Sequence, residues 1–190
     1  MNNTRIAALF AAVSIVALGA ATFPPSAHAE KTVEVGGAPM YPSKNIVQNA
    51  VNSKDHTTLV AAVKAAGLVD TLMSPGPFTV FAPVNKAFEK LPAGIVDSLL
   101  KPENKATLTA VLTYHVVPGK LSAADLMSQV KAGGGKASLT TVEGEPLTVV
   151  QDGRKLEIID AKGDKSVITI ADVNQSNGVI HVVDTVLLPK

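Results

Sequence analysis

The character of the sequence changes at residues 133–135, which are three consecutive glycines, and this change restricts the fold more than any other feature. Before them, apolar residues recur at helical spacing, as Leu108, Val111 and Leu112 do. After them come short β-branched runs separated by turn residues, at 139–142, 147–150, 156–159, 167–170 and 179–183. Helices followed by a meander of strands, without regular βαβ alternation, predict an α+β fold.

Size and composition indicate one folded domain. The chain has 190 residues, of which 46% are hydrophobic and 17% charged, so it can bury a core and is not a disordered polyampholyte. Its formal net charge is +1, and we therefore expect no nucleic-acid partner. It has no Cys and no Trp, which excludes disulfides and thiolate metal sites and leaves the core to aliphatic side chains.

The N-terminus is typical of a secretory signal peptide. Arg5 precedes an uncharged run at 6–23, and Ala27 and Ala29 supply the small side chains of a cleavage site. We predict a signal peptide at 1–29, cleavage before Glu30 and an exported, periplasmic or extracellular protein with no stable membrane span after cleavage. The alternative is an uncleaved anchor, because the apolar run is about as long as a short bilayer span requires.

The rest of the chain divides into an arm and a domain. Residues 30–43 contain Gly and Pro without an apolar period and predict an extended N-terminal arm, and residues 44–190 form the domain. Four polar residues are predicted N-caps of helices or helical turns: Ser43, Asp55, Asn85 and Ser122. Further helices are predicted at 95–100 and after Pro102, and hairpin turns at 152–153 and 162–164.

Residue patterns for catalysis are missing from the sequence. There is no Gly-x-Ser-x-Gly elbow, and no Ser and His fall at a useful spacing, so we predict that the protein is not an enzyme. The histidines of the domain, His56, His115 and His181, lack the i, i+3 or i, i+4 spacing of metal ligands, and we expect neither metal nor cofactor. His115 and His181 lie among apolar neighbours and are predicted to be buried and hydrogen-bonded, with ligand contact as the alternative.

Three motifs carry a resemblance to a known family. The first is 78–83 (FTVFAP) followed by Asn85, Ala87 and Phe88, the second is 114–119 (YHVVPG), and the third is 177–184 (NGVIHVVD) followed by 186–189 (VLLP). In this order and at this spacing they resemble the fasciclin domain, over 46–189. Val84 departs from the family pattern, which usually has Thr there, so we expect Asn85 to cap its turn alone.

The resemblance implies a fold and a function. The fold would be a β wedge of two sheets with the N-terminal helices packed along one side, in a secreted, single-domain member of bacterial type. The function would be non-enzymatic adhesion or interaction outside the cytoplasm, with a protein or polysaccharide of the cell surface or matrix as partner. Because some members bind carotenoids, the alternative is a carrier of a small hydrophobic ligand.

The resemblance also assigns roles to residues. The candidate adhesion segment is Tyr114, His115, Val116 and Val117, with the alternative that Tyr114 packs in the core and His115 bonds a neighbouring loop. The other motif positions are expected to serve the structure: Thr79, Phe81, Pro83, Asn85, Phe88, Asn177, Gly178, His181 and Asp184.

Overall fold

A computed structural model describes residues 31–190 and confirms the α+β class. The predicted signal peptide and its cleavage site before Glu30 lie outside these residues. Within this range there are seven α-helices: α1 (Ile46–Ala50), α2 (Thr57–Ala66), α3 (Val69–Met73), α4 (Asn85–Glu89), α5 (Ile95–Leu99), α6 (Lys105–Tyr114) and α7 (Ala123–Ala132). Single 3-10 turns, Lys54–His56 and Pro102–Asn104, precede α2 and α6.

The same range contains nine strands: β1 (Val33–Val35), β2 (Ala38–Met40), β3 (Phe78–Pro83), β4 (Val116–Pro118), β5 (Lys136–Thr140), β6 (Pro146–Asp152), β7 (Lys155–Ile159), β8 (Lys165–Gln175) and β9 (Gly178–Val183). Strands β3 to β9 form one sheet in the order β4-β3-β9-β8-β7-β6-β5, in which only β3 and β9 pair in parallel. The N–H of Val142, just after β5, donates to the Val116 carbonyl at 2.7 Å, so the sheet almost closes on itself.

The sheet folds over to form the wedge that was predicted. β8 is the strand shared by its two halves, and register shifts interrupt its pairing with β9, as expected where a strand bends. Side chains from both halves meet in one apolar cluster, to which β3 contributes Phe81, β9 contributes Val183, and β6 and β7 contribute Val149 and Ile158. Helix α7 packs Leu126 and Val130 against this cluster.

The other face of β3 and β9 carries the helices. Strand side chains alternate between faces, so Val80, Ala82, Ile180 and Val182 point away from the wedge interior and join a second cluster with α1, α2, α3, α4 and α6. Both central strands are therefore buried on both sides, and β9 is buried at every position. The N-terminal helices pack along one side of the wedge, as the resemblance implied.

The segment expected to be an extended N-terminal arm is different in the structure. Residues 33–40 form a hairpin in which β1 and β2 pair antiparallel, and Gly36 and Gly37 adopt the positive φ angles that its two-residue turn requires. Val35 and Met40 are buried against the helical cluster. The prediction missed it because each strand is only three residues long, too short to show an alternating pattern.

The predicted helix caps are correct in one case and wrong in three. Ser122 caps α7 in a capping box with Asp125. The cap of α1 is Asn45 rather than Ser43, and Asp55 lies in the 3-10 turn before α2 rather than at its N-cap. Asn85 is the first residue of α4, whose N-cap position is held by Val84, so Asn85 does not cap its own helix.

Candidate functional site

The candidate adhesion segment lies in the interior of the molecule. Tyr114 ends α6, His115 follows it, and Val116 and Val117 begin β4, and all four side chains are buried. Val116 faces the helical cluster, and Tyr114 and Val117 face the wedge interior. The segment therefore connects the two cores and is not itself an exposed surface.

Tyr114 joins two hairpins of the sheet. Its hydroxyl donates to the Pro146 carbonyl at 3.1 Å and accepts from the Ala161 N–H at 2.9 Å. Burial raises the pKa of Tyr114 to about 12, so the hydroxyl keeps the proton that it donates. Tyr114 therefore acts as a hydrogen-bonded core residue.

His115 joins α6 to the C-terminal segment. Its Nδ1 lies 2.7 Å from the Val111 carbonyl, and its Nε2 accepts from the Leu187 N–H at 3.0 Å. A carbonyl can only accept, so the proton of the neutral ring is on Nδ1. Burial lowers the pKa of His115 to about 4, which keeps the ring neutral.

His181 makes a similar bridge with the opposite tautomer. Its Nε2 lies 2.8 Å from the Leu121 carbonyl and must donate to it, and its Nδ1 accepts from the Asp172 N–H at 3.3 Å. The ring stacks on Phe81, the neighbour of His181 in the parallel pairing, with 5.8 Å between ring centroids. Burial lowers the pKa of His181.

Three side chains hold the loop between β4 and α7 in place, and two of them, Thr79 and His181, are predicted motif residues. Thr79 donates through its hydroxyl to the Gly119 carbonyl at 2.7 Å and accepts from the Leu121 N–H at 2.9 Å. Asp172, held at φ +58°, accepts from the Ala123 N–H at the start of α7 at 2.8 Å. Thr79, His181 and Asp172 thus fasten this loop to the central strands.

Asn177 and Gly178 fasten the start of β9 to the helices. Asn177 accepts from the Ile46 N–H at 3.1 Å and donates to the Leu72 carbonyl at 2.8 Å, which ties α1 to α3. At Gly178, an added Cβ would collide with the Phe78 carbonyl oxygen. Only glycine permits β3 and β9 to approach this closely at that point.

The remaining motif residues also make internal contacts. Pro83 ends β3, and Phe88 of α4 packs into the helical cluster. Asn85 accepts from the Thr58 N–H in the first turn of α2 at 3.0 Å. Asp184 accepts from the Val167 N–H at 2.9 Å.

A cavity lies between the helices and the central strands. We call it the helix-side cavity; it has a volume of about 80 Å³ and a mainly apolar lining that includes Ile46, Leu59, Val63, Leu72, Val80 and Ile180. His56 also lines it and is only 3% exposed. Sequence reasoning passed over His56, since its single signal was a histidine just before an apolar helix.

Residues 31–190 contain neither a metal-binding cluster nor a membrane-spanning helix. In that range, no group of three or more His, Cys, Asp or Glu side chains is placed to hold a metal ion. The helices of the same range are all too short or too polar to cross a bilayer.

Sequence comparison identifies a family model and relatives that the chain matches. The family model described as "Fasciclin domain" matches residues 54–189. The chain is 50% identical over 161 residues to Protein sll1483 of Synechocystis, covering 84% of this chain and 82% of that one. It is 34% identical to Immunogenic protein MPB70 of Mycobacterium bovis, covering 100% and 98% of the two chains.

A solved structure has a similar fold. The FAS1 domain pair from the insect cell adhesion molecule Fasciclin I superposes with a TM-score of 0.68 at 20% identity. The match covers 78% of this chain and 52% of that one, so this chain spans about half of the pair. With the family model matching most of the chain and the fold agreeing, the protein belongs to the fasciclin domain family.

Proposed function

We propose that this protein is a non-enzymatic interaction module that acts outside the cytoplasm, in adhesion or in contact with a matrix. Its partner would be a protein or polysaccharide of the cell surface or matrix. The observation that carries the proposal is the match to the fasciclin domain over residues 54–189. The motif residues support the non-enzymatic part of the proposal, because their polar groups form hydrogen bonds inside the protein.

The surface next to the candidate adhesion segment is where we propose that a partner binds. Tyr114 to Val117 are buried, so they act on a partner through the residues that they position. Val142 is the strongest candidate for contact with a partner, because its N–H is bonded to the Val116 carbonyl and its apolar side chain is 46% exposed. Pro118 at the end of β4 is also exposed.

An attachment assay with a matched pair of variants tests this surface. Val142→Asp should weaken attachment of cells or matrix to the immobilised protein about tenfold, the effect of losing about 1.4 kcal/mol of binding free energy. Ile95→Asp is the control, because Ile95 is 40% exposed but lies on α5. Both variants should melt close to wild type, since neither side chain is buried. Equal attachment by both variants and wild type would remove Val142 from the binding surface.

A second function is favoured by the helix-side cavity. We propose that the cavity binds a small hydrophobic ligand, because its lining is apolar and its volume is of the same order as the about 150 Å³ engineered cavity that stays dry and binds benzene. A long polyene such as a carotenoid is much larger than about 80 Å³ and would bind only if the helices moved apart.

Protein purified from its own host tests the second function. Absorbance spectra detect a bound pigment, and mass spectrometry of an organic extract detects a colourless ligand. A preparation that contains neither, and that takes up no small apolar probe, would leave the interaction module as the sole proposal.

A further inference from the structure

A groove lies between α7, β7, β8 and the turn before β7. We call it the wedge-side groove; it has a volume of about 440 Å³, within the range of about 300–1,000 Å³ that is usual for small-molecule sites. The residues that line it are all different from those that line the helix-side cavity. Neither function proposed above makes use of it.

The groove forms where two strands of the sheet separate. The pairing of β7 with β8 ends at Glu157 and Val167, and the next residues in the same register, Leu156 and Ile168, both line the groove. Residues from the first two turns of α7 complete the lining. The groove is therefore built from regular elements, whose positions are fixed by the sheet and by the packing of α7.

The apolar part of the lining is continuous with the core of the wedge. Leu156 and Ile168 are buried members of the apolar cluster inside the wedge, and Met127 and Ala171 are partly buried against that cluster. An alkyl chain in the groove would contact these side chains and leave water, which stabilises binding by about 0.8 kcal/mol for each CH2 group that is fully buried.

Positive charge lies at the same groove. Arg154 and Lys155 line it and are exposed, whereas no Asp or Glu of the described chain is part of the lining. The ion pairs found within residues 31–190 involve neither of these two cations, and Asp152, which is opposite Lys155 in the hairpin, does not pair with it. Both cations are therefore available to an anionic ligand.

We infer that the wedge-side groove binds a medium-chain fatty acid, with its carboxylate held by Arg154 and Lys155 and its alkyl chain against the apolar lining. A guanidinium can donate two parallel hydrogen bonds to a carboxylate, and the ammonium group of Lys155 adds a second positive charge. An alkyl chain fits the rest of the lining better than a sugar does, because sugar hydroxyls would lose hydrogen bonds to water there. The inference is independent of both proposed functions, since it concerns a different site.

Two probes with the same alkyl chain test the recognition of the carboxylate. Octanoate and 1-octanol differ in the head group, and amide chemical shifts in NMR titrations locate the site and give the affinity for each probe. Both probes should shift the amides of 154–156 and 167–171. The octanoate-to-octanol affinity ratio should be about tenfold larger for wild type than for Arg154→Gln/Lys155→Gln, because that double variant loses two exposed charge contacts. Solvation of the probes in water cancels in this comparison.

A matched double variant controls for net charge. Lys86→Gln/Lys105→Gln removes the same two positive charges from α4 and α6, which pack in the helical cluster on the other face of β3 and β9, and should leave the affinity ratio unchanged. All four positions are exposed, so both double variants should melt close to wild type. Ala171→Leu, which adds bulk to the lining, should weaken binding of both probes without changing their ratio.

Three results would overturn the inference. If the ratio is the same in wild type and Arg154→Gln/Lys155→Gln, these cations do not recognise the carboxylate. If both double variants lower the ratio equally, the effect comes from net charge and not from this site. If neither probe shifts the amides that surround the groove, the groove is not a ligand site, and the helix-side cavity is still tested separately by its own experiment.

Discussion

At the scale of single residues, two buried histidines form the same kind of hydrogen-bonded bridge as opposite tautomers. His115 donates from Nδ1 and accepts at Nε2, whereas His181 accepts at Nδ1 and donates from Nε2. Each neutral ring joins one carbonyl to one N–H from elements far apart in sequence. No other side chain offers a donor and an acceptor on opposite sides of a rigid ring. This explains how histidine can occupy a core position at each site.

His181 gives the clearest test of this role. His181→Ala should lower the free energy of unfolding by roughly 1 to 3 kcal/mol, because it leaves the Leu121 carbonyl and the Asp172 N–H without a partner in the interior. His181→Asn should recover part of the loss, since an amide supplies one donor and one acceptor. Denaturant midpoints measure both. Two variants as stable as wild type would mean that water replaces the ring and that His181 does not fasten the loop before α7.

At the scale of elements, the helices are held by side chains that reach them from other parts of the chain. Asn85, at the start of α4, accepts from the Thr58 N–H at 3.0 Å and the Thr57 hydroxyl at 3.2 Å, and donates to the Lys54 carbonyl at 2.8 Å. It satisfies a free N–H in the first turn of α2, the role usually taken by the N-cap of the helix itself. Asn85 is thus a cap supplied from another helix.

Asn85→Ala should destabilise the protein by about 0.5 to 2 kcal/mol, the range for loss of a helix cap. The control is Asn52→Ala, because Asn52 is exposed and donates only to the Gln48 carbonyl of its own helix end; it should cost less than about 0.5 kcal/mol. Amide hydrogen exchange locates the effect: protection should fall first in α2 if Asn85 caps that helix. Loss confined to α4 would contradict the assignment.

The caps also show how far local sequence can predict such elements. Ser122 was predicted because its partner, Asp125, lies three residues away, so the whole motif is visible in sequence. Asn85 was assigned to the wrong helix because its partners lie 27 to 31 residues earlier and meet it only after folding. Strands β6, β7 and β9 were predicted close to their observed positions, since β-branched runs and the turns between them are local signals. Strands β1, β2 and β4 were missed, because each is only three residues long.

The candidate site was harder to predict for the same reason. That His115 and His181 are buried and bonded followed from their apolar neighbours, but their partners, Leu187 and Leu121, lie 72 and 60 residues away. The helix-side cavity is lined by parts of at least five elements, so no stretch of sequence contains its pattern. His56 could be recognised as part of it only in three dimensions.

At the scale of the whole molecule, the N-terminal hairpin sets a limit on processing. Val35 and Met40 are buried against the helical cluster, so the chain must stay intact from β1 onward for the core to be complete. The proposed cleavage before Glu30 leaves β1, which begins at Val33, untouched.

N-terminal sequencing of the exported protein should therefore find Glu30 as the first residue. Replacing Ala29 by a bulky residue, as in Ala29→Phe, should block cleavage, because the recognition site requires small side chains. A control change, Ala17→Phe, lies inside the apolar run and should leave the site as it is. Native protein that keeps residues 1–29 and stays tightly bound to membranes would support the uncleaved anchor instead.

The three histidines of the described chain also act together on the stability of the molecule. Burial lowers the pKa of His56, His115 and His181 below the value of about 6.5 that they have in the unfolded chain, and that of His115 falls to about 4. As the pH falls below about 6.5, the unfolded chain takes up protons that the folded protein cannot. The free energy of unfolding must then decrease as the pH falls, and it is highest above the unfolded pKa.

Denaturant unfolding between pH 7 and pH 5 should show this loss, before most carboxylates titrate. His115 alone contributes about 3 kcal/mol over the full interval from pH 6.5 to 4, because each pKa unit is worth about 1.4 kcal/mol. The slope of unfolding free energy against pH is proportional to the number of protons that the unfolded chain binds in excess of the folded protein. His115→Gln should reduce this excess by up to one proton, even though the variant is less stable at every pH. Asn52→Ala should keep the wild-type slope. A free energy of unfolding that stays constant from pH 7 to pH 5 would mean that these rings take up protons in the folded protein as well. That result would contradict the neutral rings assigned above, because His115 accepts a hydrogen bond from Leu187 and His181 accepts one from Asp172.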